Sequence, residues 1–144
     1  MPTAQHQSSG SGSAGVFLRA VVLCGGKGVR LRPLTQDVPK PLVQVRGRPI
    51  INFIVEHLAT QGISDVTLAA GYKAGMLVEH FKDSPVLVVD TGDQDIAGRI
   101  RQLDDGSARD LLVVYGDTLS DVDFAKLLAS HRKAGLPATV TVWP

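Results

Sequence analysis

Apolar and polar positions follow two periods along this chain. Short apolar runs at Arg19–Leu23, Asp65–Ala70, Val86–Val89 and Leu111–Tyr115 read as strands, and the last, the most apolar, is expected at the centre of the sheet. Between them the spacing turns helical. Over Pro49–Thr60, Ile50, Ile51, Ile54, Val55 and Leu58 share a face, with proline in the first turn and Gly62 as the stop. A shorter helix is expected over Ala74–Lys82, with Met76, Leu77, Val78 and Phe81 forming its apolar face, and another over Ile96–Leu103. Ser120 or Asp121 would cap Phe124–Lys133, Gly135 would end it, and Ala138–Trp143 would begin a further strand. The alternation predicts an α/β fold with a mainly parallel sheet.

The strand around Ala20–Leu23 empties into Gly25, Gly26 and Gly28, and Arg30, Arg32 and Lys40 follow. A glycine turn after a strand exposes backbone N–H groups to an anion, and cations just beyond can neutralise several phosphate oxygens together. The plainer reading is a tight turn with solvated arginines. A dinucleotide fingerprint is excluded because Leu31 stands where the third glycine belongs, and a Walker A loop because Lys27 is followed by Gly28. Pro39 and Pro41 brace Lys40 from both sides, which a merely decorative lysine does not need.

Composition narrows the partners. A chain of 144 residues with formal net charge +1 is long enough for one core and carries no nucleic-acid surface. Its single cysteine excludes an internal disulfide framework and suits a reducing cytoplasm, and no apolar run nears the roughly 20 residues of a membrane span. Residues 1–15, rich in Ser and Gly, read as a flexible tail, and residues 16–144 as the domain. Homo-oligomerisation stays open.

Tyr115-Gly116-Asp117 closes the most apolar strand. A carboxylate at a parallel strand's carboxyl end sits where open α/β sheets bind ligands, and aspartate is a hard ligand of the kind Mg²⁺ takes. The alternative is a strand-end turn. Asp121 and Asp123 suit helix capping, and His57, His80 and His131 lack metal-site spacing. The polar stretch Asp90–Asp95 reads as a surface loop leading into a helix that carries Arg99.

The segment Leu23-Cys24-Gly25-Gly26-Lys27-Gly28-Val29-Arg30-Leu31-Arg32-Pro33-Leu34-Thr35, followed by Pro39-Lys40-Pro41-Leu42, resembles the signature of the sugar-phosphate nucleotidyltransferases, L-A-G-G-x-G-T-R-L-x-P-L-T and then P-K-P-L. Cys24 stands for the usual alanine, and Val29 for a threonine whose hydroxyl could bond a phosphate. Asp90-Thr91-Gly92, Gly98-Arg99 and Tyr115-Gly116-Asp117 are similar to the glucose-1-phosphate cytidylyltransferase branch, with Gln94 offered in place of that branch's base-contacting threonine.

The resemblance implies a Rossmann-like three-layer α/β/α fold of the GT-A-like kind, of which this chain would be the N-terminal, nucleotide-binding part. It implies transfer of a nucleotidyl group from a nucleoside triphosphate, CTP by the branch, to a sugar 1-phosphate such as glucose 1-phosphate, in nucleotide-sugar and polysaccharide biosynthesis. Leu23, Cys24, Gly25, Gly26, Lys27, Gly28, Val29, Arg30, Lys40, Arg99, Gly116 and Asp117 would line the nucleotide. Arg30 would stabilise the leaving pyrophosphate, Lys40 would bridge both reactants and Asp117 would hold Mg²⁺, while Gly116 would pack close to the nucleotide. The alternative is a non-catalytic nucleotide-binding or regulatory module, or an inactive truncated homologue. An oxidoreductase binding a dinucleotide is disfavoured by the missing third glycine.

Overall fold

The computed structural model describes residues 18–108 and 110–142. Four parallel strands, β1 (Leu18–Cys24), β4 (Val66–Ala70), β5 (Leu87–Asp90) and β6 (Asp110–Tyr115), form one sheet in the order β5-β4-β1-β6. β1 is central, with Ala20 opposite Val66 on one side and Leu18 opposite Asp110 on the other. Its residues are buried on both faces, as parallel sheets require. Leu18, Ala20, Val22 and Cys24 join Leu68 and Ala70 of β4 in the main core cluster. Against them pack Ile51, Ile54 and Leu58 of α2 (Ile50–Thr60), Leu77 of α3 (Ala74–His80) and Phe124 of α5 (Phe124–Ala134). Val21 and Ala69 are buried outside that cluster, where α4 (Ile96–Leu103) contacts β1 and β4. The layers are therefore α/β/α, as expected.

Several expectations change in detail. β6 is not central: it pairs with β1 alone, at the sheet's edge among the described residues. Leu112 and Val114 meet the core, while Val113 and Tyr115 on the other face stay exposed. Residues 138–142 form no strand, because no neighbour pairs with them, and Val140 and Val142 are exposed; Trp143 lies outside the described residues. The apolar face of α3 is narrower than expected: Ala74, Leu77 and Phe81 turn inward, whereas Met76 and Val78 face solvent. Neither Ser120 nor Asp121 caps α5; the Asp123 carboxylate accepts from Lys126 N–H at 2.9 Å, one residue before the helix begins. Gly135 ends α5 as expected, in the left-handed conformation.

Between β1 and α2 the chain makes elements that periodicity did not show. A 3₁₀ turn (Val29–Leu31), the short α1 (Leu34–Asp37) and a second 3₁₀ turn (Lys40–Leu42) lead into a hairpin of β2 (Gln44–Val45) and β3 (Arg48–Pro49). Its two turn residues, Arg46 and Gly47, both have positive φ (52° and 78°), the geometry whose twist matches the flanking strands. No helix among the described residues is long and apolar enough to cross a membrane.

Candidate active site

From β1 the chain passes to β4 and β5 on one side, then crosses to β6 on the other. Such a reversal opens a crevice at the carboxyl ends of the two strands that flank it, here β1 and β6. A cavity of about 740 Å³ lies there, lined by Leu23–Lys27 after β1, Lys40 and Pro41, Asp93–Ala97 with Arg99, and Tyr115–Asp117 after β6. The structure thus brings Leu23, Cys24, Gly25, Gly26, Lys27, Lys40, Arg99, Gly116 and Asp117 together. Gly28, Val29 and Arg30 do not line it; Val29 and Arg30 are exposed on the 3₁₀ turn beyond.

The glycines are required for different reasons. A Cβ on Gly25 would lie 2.0 Å from Arg99 Nη1 and 2.1 Å from its Cζ, so only glycine lets that guanidinium lie against the loop. Gly116 lines the cavity, and a Cβ there would meet Cys24 Sγ at 2.6 Å and the Leu23 carbonyl at 2.9 Å. Its need is internal: close packing of β6's end on β1, sealed by Gly116 N–H donating to the Leu23 carbonyl at 3.0 Å. Gly28 takes a left-handed φ of 60°, and the buried Thr35 hydroxyl donates to its carbonyl at 2.7 Å, closing the loop from behind. Gly26 differs from all three. A Cβ there would meet nothing within 4 Å, and its φ is ordinary. Among the described residues nothing else approaches that position, which leaves its backbone open to the cavity.

Arg99 is 6% exposed, and four of its five N–H donors are committed to the protein. Nε donates to the Gln94 carbonyl at 3.0 Å, Nη1 to the Ala70 carbonyl at 2.8 Å and to Thr91 Oγ1, and Nη2 to the Gly92 carbonyl at 2.8 Å. Arg99 thus borders the cavity and also ties the end of β4 and the loop after β5 to Gly25. Thr91, fully buried and donating to the Ala70 carbonyl at 2.6 Å, completes that tie. The Asp90-Thr91-Gly92 run signalled this loop, but nothing in it marked the threonine as a buried bracket. Asp93, Asp95, Ile96 and Ala97 also line the cavity without having been singled out, as do Pro41 and Tyr115, which the sequence marked only as neighbours of Lys40 and Gly116.

Lys40 and Asp117 lie 77 residues apart in sequence, yet their side chains form an ion pair on the cavity floor. Both are about 30% exposed, at 31% and 29%. At the rim, Lys27 Nζ reaches Asp93 at 3.4 Å. Cys24, buried beneath, has its thiol pushed far up, chiefly by desolvation and next by the Asp117 charge, so it stays protonated and inert. The histidines among the described residues are engaged elsewhere: His57 with the Val122 carbonyl, His80 with Asn52, His131 with Thr139. Among the described residues no three His, Cys, Asp or Glu side chains gather to hold a metal ion. Asp117 offers a single hard oxygen donor. That fits Mg²⁺ in the mode in which water supplies the remaining ligands and substrate phosphates replace some of it when bound.

An open parallel sheet with its ligand crevice at the switch point defines an α/β protein of the nucleotide-handling architecture. Residues 19–144 match the nucleotidyl transferase family, and the chain belongs to it. It is 33% identical to a D-glycero-α-D-manno-heptose 1-phosphate guanylyltransferase of Campylobacter jejuni, over 81% of this chain and 55% of that protein. It is 32% identical to a probable glucose-1-phosphate cytidylyltransferase of Bacillus subtilis, over 86% of this chain and 59% of that protein. Among solved structures, HddC from Yersinia pseudotuberculosis, complexed with GMP-PN, superposes with a TM-score of 0.68 at 30% identity, covering 78% of this chain and 53% of that one. The chain therefore spans somewhat more than half the length of these relatives.

Proposed function

We propose that this chain carries the nucleotide side of a sugar-1-phosphate nucleotidyltransferase site, using CTP and glucose 1-phosphate and releasing pyrophosphate. The observation that carries the reading is the meeting of Lys40 and Asp117 beside the open backbone of Gly26, between the ends of β1 and β6. A phosphate oxygen of the sugar phosphate attacks the α-phosphorus as the bond to the pyrophosphate oxygen breaks. The nucleophile is already an anion, so the reaction needs no general base, in keeping with an inert Cys24 and distant histidines. What the site must supply is alignment and charge neutralisation.

Gly26, with Gly25 behind it, offers backbone to the triphosphate, and Lys40 neutralises phosphate oxygens of both reactants. Asp117 would hold Mg²⁺, which when bound offsets phosphate charge. The Asp93–Ala97 wall, held from behind by Arg99, faces the base, with Gln94 the side chain offered to it. Arg30 lies outside the cavity lining, and its role on the pyrophosphate rests on the family resemblance alone.

The choice of CTP follows the branch resemblance and the B. subtilis relative; the C. jejuni relative is named for guanylyl transfer. Pyrophosphate release measured with each of four nucleoside triphosphates and glucose 1-phosphate tests both levels. Release greatest with CTP supports the whole reading, and release greatest with GTP moves the base but keeps the chemistry. Nucleotide binding without release would make the chain a binding module.

A further inference from the structure

Among the described residues the cavity lining holds as many carboxylates as cations: Lys27, Lys40 and Arg99 against Asp93, Asp95 and Asp117. Arg99 is committed to backbone carbonyls, and Asp95 caps α4 by accepting from Gly98 N–H at 2.7 Å. The remaining four form two ion pairs, Lys27 with Asp93 at the rim and Lys40 with Asp117 on the floor. Every lysine that could greet a phosphate thus already has a carboxylate beside it. A bare triphosphate entering this cavity meets the charges of Asp93 and Asp117 together with those of the lysines. The rim pair is largely exposed, with side chains 59% and 88% accessible, so water and salt screen it. The floor pair is less accessible and cannot be screened as well.

We propose, resting on the nucleotidyltransferase reading above, that Lys40 and a divalent cation are exchangeable counter-ions of Asp117, so that the site selects the metal complex of the triphosphate over the bare polyanion. With Lys40 on the carboxylate, Asp117 is shielded and the ammonium is occupied. When a cation takes the carboxylate, the ammonium is released toward phosphate. Cation and triphosphate each favour the state the other binds, and the coupling is reciprocal. The same pair keeps the empty site neutral: neither charge stands unpartnered in a partly desolvated floor.

The direct test omits turnover. Mn²⁺ is titrated into the 144-residue chain without nucleotide, and free ion is followed by electron paramagnetic resonance. Lys40→Met should bind Mn²⁺ about tenfold more tightly than wild type, Lys40→Arg should match wild type, and Asp117→Asn should lose the ion. In a second arm, CTP is titrated by calorimetry in EDTA. The isosteric Asp117→Asn, lacking the repulsive charge and leaving Lys40 free, should bind metal-free CTP about tenfold more tightly than wild type. Unchanged Mn²⁺ affinity in Lys40→Met, with Asp117→Asn still losing the ion, overturns the exchange while leaving the metal reading of Asp117 intact. So does metal-free CTP binding that is unchanged or weaker in Asp117→Asn. Mn²⁺ binding that survives Asp117→Asn overturns the metal reading itself, and the proposal with it.

Discussion

Two cations border the same cavity in opposite ways. At the β4–β5 wall, Arg99 is 6% exposed and hydrogen-bonds three backbone carbonyls and one buried hydroxyl. On the β1–β6 floor, Lys40 is about a third exposed and has one carboxylate partner. The guanidinium's planar fork of donors suits the first task, because it can satisfy several fixed carbonyls at once. The ammonium, a point charge on a flexible stem, suits the second, because it can change partners by rotating. A cation locked into backbone builds a site. A cation with one exchangeable partner is available to work in it. Sequence position does not distinguish the two.

Substitutions that break the Arg99 wall should have the largest effect. Gly25→Ala forces a methyl into the guanidinium, and Arg99→Met takes the side-chain donors from the part-buried Gly92 and Gln94 carbonyls and opens a gap behind the loop; each should cost about 3 kcal/mol or more, read by urea denaturation. The two changes act on one contact, so Gly25→Ala made in the Arg99→Met background should cost less than about 1 kcal/mol. Additive costs would mean that Gly25 serves something other than Arg99.

Lys40→Met should show the reverse profile. Loss of a partly exposed ion pair should cost less than about 1 kcal/mol of stability, while pyrophosphate release should slow by about 10²–10³. A stability loss as large as that of Arg99→Met would erase the distinction between wall and floor. Gly26→Ala sharpens the contrast within the loop itself. Its methyl meets nothing in the protein, so stability should shift by no more than about 0.5 kcal/mol. On the proposed reading, CTP binding measured by calorimetry should nevertheless weaken, because the methyl adds bulk to the cavity lining.

The smallest effect belongs to a third cation, far from the cavity. Arg19 pairs with Asp65 and with Asp105, both at 3.0 Å. The Ser107 hydroxyl and N–H, and then Arg19, hold the Asp105 carboxyl down at about 2. A carboxylate lowered on folding stabilises the native state above its ordinary value of 3.8 and loses that contribution as pH falls toward 2. Asp105→Asn should therefore lower stability slightly and uniformly above pH 4 and flatten the fall in stability between pH 4 and 2, as thermal melts across pH would show.

Much of the fold was legible because its elements carry strong local signals. The apolar run of β1 ending in glycines gave both a strand and its loop, and α4 falls at Ile96–Leu103 as its spacing predicts. The hairpin was missed because its turn is Arg46-Gly47, and arginine is not a residue that announces positive φ. The edge position of β6 was hidden because an apolar run records what its side chains touch, not how many strands flank it. Half of the site was legible for the same reason the strands were: Lys40 and Asp117 sit beside local punctuation, Pro39 and Pro41 in one case and Gly116 in the other. The commitment of Arg99 was not, since its acceptors come from Ala70, Gly92 and Gln94 and meet only after the sheet has formed. Gly25 and Gly26 are identical letters with different obligations, visible only once their surroundings are in place.

The central place of β1 also sets a timetable. The strand that bears the glycine loop is made first, yet its partners are Val66–Ala70 and Asp110–Tyr115, much further along the chain. At about 5–20 residues per second of synthesis, β1 waits seconds for its first neighbour and longer for its second. During that interval Ala20, Val21, Val22 and Leu23 form an unpaired apolar segment of the kind chaperones hold. The loop reaches its working shape only when Arg99 arrives to lie against Gly25 and β6 closes on Leu23. The part of the molecule that reads most plainly in the sequence is a part that must wait for distant segments to be finished.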